Sequence, residues 1–124
     1  MEFIKGACFT RQEISDIVGG GSVQNMMPNK DGRVLCVCLS RPLEIDADKV
    51  ILVGAGPAVQ KEAEMFCVQN TAVPFFCKKV ANQWEYVGCF KPVRWTGDPD
   101  EVGAFAGSSG RVNLTKIIFL QETP

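Results

Sequence analysis

Six cysteines and no histidine set the limits on the chemistry open to this 124-residue chain. Cys8, Cys36, Cys38, Cys67, Cys77 and Cys89 include no C-x-x-C pair, so a zinc site would have to gather four scattered thiolates. Several of the six lie in apolar runs, where a free thiol packs as a small hydrophobe. We therefore expect reduced, mostly buried cysteines and no metal site. Without histidine, Ser–His and Cys–His nucleophile pairs and His-held metals are excluded. Glu13 and Glu85 remain as acid–base groups, yet nothing pairs them at a telling spacing, so no catalytic residue is assigned.

Binding chemistry is better represented. A pocket that reads a base needs an aromatic face, amides or backbone groups for the base edge, and cations near the phosphates. Gln24 and Asn25, behind the glycines Gly19–Gly21, and Asn82 with Gln83 are the amide candidates. Trp84, Tyr86 and Trp95 are the stacking candidates, and Arg11, Lys78, Lys79, Lys91 and Arg94 the phosphate candidates. Each also has a plainer role: a core ring for Trp84 and Tyr86, a solvated loop for Gln24 and Asn25, a solvated face for the lysines. Arg11 stands at the start of a helix, where a cation opposes the helix dipole, which hints at another task. The set gains weight from its crowding. Between Phe75 and Trp95 stand four bases against one acid, a net +3 that brackets two tryptophans.

The bulk properties are compatible with that role. The net charge is −1, unlike a domain that coats nucleic acid nonspecifically. With 46% hydrophobic residues, a chain this long forms one domain, residues 1–124, that buries roughly two-thirds of its unfolded surface. No apolar run approaches the ~20 residues of a membrane span, and "MEFIKGACF" has no long apolar signal region, so a cytoplasmic, membrane-free protein is expected.

The elements that must position these residues are marked by local signals. "CFTRQEISDIVGGG" predicts a helix over 11–18: Thr10 and Glu13 form a capping box, Phe9 and Ile14 a staple, and Gly19 the left-handed stop. "RVLCVCLS" and "KVILVG" read as buried strands, with a helix after Pro57 whose Val59, Ala63, Phe66 and Cys67 face the core. "TAVPFFCKK" and "QWEYVGCFKPVRW" form a hairpin through "VANQ", with Trp84, Tyr86, Gly88 and Phe90 on one face and a bulge near Gly88 or Pro92. Asp98 caps one helical turn, "AGSSGR" is a loop, and "TKIIFLQE" is the closing strand. About six strands, two or three short helices and a single β-α-β step predict an α+β fold: a strongly bent mixed sheet or a small β-barrel with flanking helices.

"KVILVGAGPAVQ" brings the dinucleotide fingerprint to mind and departs from it. Gly54 and Gly56 fill the first two glycine positions, but Val59 stands at the third and Pro57 removes an N–H from the turn. Cys77, Lys78 and Lys79 stand where a ribose-binding acid belongs. No nucleotide or other cofactor is expected.

In order along the chain, "FTRQEISDIVGGG", "LVGAGPAVQKEAEMF", "WEYVGCF" and "RVNLTKIIFLQE" resemble the small bacterial domains that precede HNH nuclease domains in modification-dependent restriction enzymes. "YVGCFKPVRW" is similar to a strand of the wider SRA and PUA-like group. The resemblance covers nearly the whole chain. It implies a curved PUA/SRA-like β-barrel with a cleft for a modified or flipped base in DNA or RNA, and a binding module rather than an enzyme. HNH chemistry itself needs histidines, which this chain lacks. The competing expectation is a protein-interaction or oligomerising domain with a protein partner or a second copy of itself, using "MM" at Met26–Met27 as an exposed adaptable surface.

Overall fold

A computed structural model describes residues 3–19, 26–40, 49–109 and 113–123. Among the described residues, eight strands and three helices follow in the order β1 (Cys8–Phe9), α1 (Arg11–Val18), β2 (Asn29–Lys30), β3 (Arg33–Val34), β4 (Val37–Leu39), β5 (Val50–Val53), α2 (Pro57–Gln69), β6 (Val73–Val80), β7 (Gln83–Thr96), α3 (Pro99–Ser109) and β8 (Lys116–Thr123). The main sheet runs β4-β6-β7-β8-β5, with β1 alongside the first half of β7 and a small β2-β3 ribbon apart. β4 and β6 are parallel and every other pair antiparallel, so the sheet is mixed. Its outer strands β4 and β5 do not pair with each other among the described residues, so the mixed sheet of the expectation holds and the closed barrel does not.

β5 and β6 have two strands, β7 and β8, between them and run in opposite directions. The expected β-α-β step is therefore corrected. α2 crosses the sheet between antiparallel strands, without the parallel crossover on which a dinucleotide site is built.

β7 organises everything else. Its first half pairs with β6 on one side and β1 on the other, and its second half pairs with β8. Phe75 faces Gly88 while Phe76 faces Tyr86, so Val87 is an extra residue, and Gly88 takes φ +133°, a conformation open to glycine alone. One added residue reverses which side of the sheet each later side chain meets. Trp84 and Tyr86 consequently pack with Phe76 in one cluster, while Phe90 packs with Phe75 in another. The expected common face of Trp84, Tyr86, Gly88 and Phe90 is thus split by the bulge.

The helices divide between the two faces. α2 covers one, burying Ala63, Phe66 and Cys67 against Ile51, Val53, Phe75, Phe90, Ile118 and Leu120, with Val59 half-buried beside them. α1 covers the hairpin end of the other face through Ile14, and α3 covers the β5-β8 end through Val102 and Phe105. α1 has the predicted bounds, the reciprocal Thr10–Glu13 capping bonds and Gly19 in the left-handed region. α3 exceeds the single turn expected, because Val102 and Phe105 bury against Ile117 and Phe119 and carry the helix past Gly103.

"RVLCVCLS" is also corrected, into two short strands. The Gln69 amide accepts from Val34 N and donates to Val34 O at 2.7 and 2.9 Å, taking both bonds a neighbouring strand would have used. Met27 is fully buried and Met26 packs beside it, so the methionine pair is core rather than an exposed surface.

Candidate nucleic-acid interface

The residues singled out from the sequence gather at the two ends of β7. At the hairpin end stand Lys78, Lys79, Asn82, Gln83, Trp84 and Tyr86, with Arg11 brought over them by α1. Lys91, Arg94 and Trp95 stand at the other end. Trp84 and Trp95 are eleven residues apart on β7, at most roughly 35 Å along the strand. Gln24 and Asn25 lie outside the described residues.

The hairpin end is closed by its own helix. Asn82, in the left-handed turn conformation at φ 55°, accepts the backbone N–H of Arg11 at 3.2 Å and docks the start of α1 onto the hairpin tip. The Arg11 guanidinium then lies 5.0 Å from the Trp84 ring centre, with Lys78 Nζ 5.9 Å from it. Trp84 is 7% exposed and Arg11 also 7%. Tyr86 is buried under a stacked Phe3 ring, and its hydroxyl meets Cys89 Sγ at 3.2 Å. Burial, reinforced by that contact, pushes the Tyr86 hydroxyl up to about 12. In this structure Trp84 and Tyr86 are packed in the core, and the buried Arg11 lies over the Trp84 ring. Lys78, Lys79, Asn82 and Gln83 remain at the surface, with Lys79 3.4 Å from Glu85.

The far end is open. Trp95 is 43% exposed and Val93 50%. Arg94 lies 4.1 Å from the Phe119 ring centre and 3.2 Å from Glu101 of α3, which fixes its direction. Lys91 is half-buried and has no carboxylate partner among the described residues. β6 ends its pairing at Val73 opposite Phe90, so residues 91–96 of β7 extend past it with one edge uncovered by β6.

Between the two ends a charge cluster crosses the sheet. Lys5 and Lys49 both contact Glu122, and Lys49 also lies 4.9 Å from the Phe90 ring centre. The hydrogen bond from Lys5, then that from Lys49, holds the Glu122 carboxyl below its ordinary range. Neither Lys49 nor Glu122 stood out in the sequence, because each is a lone charge beside an apolar run. The two acid–base candidates have structural employment: Glu13 closes the α1 cap and Glu85 meets Lys79.

A cleft of about 400 Å³ lies between α2 and the β2-β3 turn, lined by residues including Arg33, Lys61, Glu64 and Val68. Among the described residues its lining carries no aromatic ring and mixes both signs of charge, so these residues offer no face for a base to stack on. Among the described residues no helix is long and apolar enough to cross a membrane.

No family model matches the chain, and no curated protein matches it. Among solved structures it is similar to the SRA domain of SUVH5, crystallised in complex with hemi-methylated CG DNA. The TM-score is 0.58 at 16% sequence identity, and the likeness covers 100% of this chain and 86% of the other. The mixed sheet with its flanking helices is thus an SRA-like fold over the whole length of the chain.

Proposed function

We propose that this chain is a non-catalytic module that binds a modified or flipped base in nucleic acid, with modified DNA as its partner. The observation that carries the reading is the whole-chain likeness to an SRA domain solved on hemi-methylated DNA. The surface chemistry supports it: Lys78, Lys79, Asn82 and Gln83 stand at the hairpin tip, and an exposed Trp95 stands with Lys91 and Arg94 at the other end of the same strand. In this reading the lysines meet phosphates, Trp95 stacks, and Gln24 and Asn25 contribute to the base edge. The motif order in "FTRQEISDIVGGG" and "WEYVGCF" supports kinship with the bacterial domains placed ahead of HNH nucleases, and hence a cytoplasmic setting.

The test is binding to short DNA and RNA, duplex and single-stranded, presented plain, cytosine-methylated, hydroxymethylated and glucosylated, at two salt concentrations. Preference for one modification, weakened in Gln24→Ala and Trp95→Ala, supports the reading. Equal or absent binding across the panel at low salt overturns it.

One observation favours a second reading. Val93 and Trp95 are exposed on the part of β7 that extends past β6, as a strand that accepts a protein partner or a second copy of the chain would be. Self-association or peptide capture lost in Trp95→Ala, without any nucleic-acid binding, would select it.

A further inference from the structure

The cleft between α2 and the β2-β3 turn is left unused by the nucleic-acid reading. Lys61, Glu64, Met65 and Val68 stand at i, i+3, i+4 and i+7, so they form one stripe along α2. Met65 packs half-buried against the main core, while Val68, at 78% exposure, is the most exposed large hydrophobic side chain among the described residues. Across the cleft stands the β2-β3 ribbon. Its turn residues Asp31 and Gly32 have φ 54° and 78°, as a tight two-residue hairpin requires, and this sets Arg33 in the cleft wall. Nothing stands within 4 Å of the place a Gly32 Cβ would take, so the cleft is open there.

The lining decides what fits. Arg33, Lys61 and Glu64 are exposed and form no ion pair among the described residues, which leaves two cations against one acid. That surplus favours an anion, and Glu64 opposes a second negative charge beside it. A guanidinium fork also matches a carboxylate. The neighbouring backbone is already satisfied: the Gln69 amide pairs with both Val34 N and Val34 O at 2.7 and 2.9 Å, so no strand edge remains at Val34 for an extended peptide. Apolar contact along Met65 and Val68 is what the cleft still offers, and that suits a chain without amides. Its volume of about 400 Å³ lies within the range of small-molecule sites. We propose that this cleft binds a small aliphatic monocarboxylate, with its chain along Met65 and Val68 and its carboxylate against Arg33 and Lys61. Binding is non-covalent and independent of the nucleic-acid reading, since no lining residue belongs to β7.

The test is a proton–nitrogen NMR titration of the full chain with octanoate, below its micelle range. Saturable shifts centred on residues 32–33 and 61–69 are expected. Shortening the ligand to heptanoate and hexanoate weakens binding by up to about fourfold per CH₂, the value of one fully buried methylene. Loss of one charge contact, in 1-octanol, in Arg33→Gln or in Lys61→Gln, weakens it by about two- to fivefold, the scale of exposed ion pairs. Glu64→Gln tightens it by a similar factor, and Val68→Asp abolishes it. All four positions are exposed, so the variants keep the fold, which the rest of each spectrum checks. Acetyl-dileucine with a free carboxylate is titrated alongside; tighter binding than octanoate would assign the cleft to a peptide terminus and overturn the proposal. Absence of saturation, shifts as large at Val93 and Trp95 as at the cleft, equal binding of 1-octanol, or an affinity unchanged in the Arg33→Gln/Lys61→Gln double variant also overturns it.

Discussion

Trp84 and Trp95 sit on the same strand, each among basic residues, and the fold treats them in opposite ways. Trp84 is shut beneath α1 at 7% exposure, with Arg11 over its ring, whereas Trp95 is 43% exposed. The difference comes from what covers each half of β7. α1 is tied to the hairpin tip through Asn82, while α3 turns its apolar side to Phe119 and Ile117 and leaves Trp95 open. A basic-aromatic segment is therefore two things at once here, a clamped frame and an open end. If the frame reading is right, Trp84→Ala costs about 3–5 kcal/mol of stability, the range for a large aromatic removed from a core. Trp95→Ala costs under about 1 kcal/mol, as exposed sites do. Chemical denaturation of the two variants side by side measures the contrast, and equal losses would erase it.

The next effect lies at the joint between the halves. Gly88 has φ +133°, and a Cβ there would stand 2.8 Å from Glu122 Oε2. Glu122 has a flexible end and can yield, but the backbone conformation cannot be relieved in the same way. Gly88→Ala therefore destabilises by about 1–3 kcal/mol, the usual cost of such backbone strain. The melting temperature reads it. A fall no greater than that of Gly103→Ala, at a position in α3 with open space around it, would mean that the bulge does not hold the two halves in place.

The two ends also differ in how they would meet a nucleic acid. Lys78→Ala removes a cation at the hairpin tip and should flatten the dependence of log affinity on log salt by about 0.9 for B-DNA, lowering affinity for every sequence alike. Trp95→Ala should leave the salt slope alone and cost about 1–3 kcal/mol of binding if the ring stacks on a base. Fluorescence anisotropy over a salt series separates the two. Identical slopes and losses in both variants would end the distinction between a charged tip and a stacking end.

The comparison also marks where sequence reasoning succeeds. α1 was legible to the residue because its signals are local: Thr10, Glu13 and Gly19 lie within one short segment and act on each other. The hairpin and α2 were legible for the same reason, through the turn at Asn82 and through Pro57 at the helix start. The break in "RVLCVCLS" was not, because Gln69 makes it from 35 residues away. The opposite fates of the two tryptophans were hidden too. Period-two alternation holds only until an extra residue enters, and Gly88 signals a bulge without saying that Val87 is the residue added. Which half of a strand a helix covers is set by packing. For the candidate site, the residue types gather largely along one strand but do not separate its buried end from its open one.

Glu122 gives the smallest effect and the sharpest test of the joint. It lies opposite Phe90 on β8 and joins Lys5, from the segment leading into β1, to Lys49 at the start of β5. These contacts hold its folded pKa below the ordinary value of 4.5. In the unfolded chain the carboxyl titrates near that value, so the unfolded state takes up a proton first as pH falls. The stabilisation is full above the ordinary value and disappears as pH drops through the lowered one. Because the side chain is about one-third exposed, solvent screening limits the effect to at most about 1 kcal/mol. Glu122→Gln should therefore match the parent in acid, below the lowered value, and fall slightly short of it at neutral pH, with the gap shrinking in high salt. A neutral-pH deficit that ignores salt would point to lost packing beside Gly88 in place of lost charge, and would make the joint a matter of shape alone.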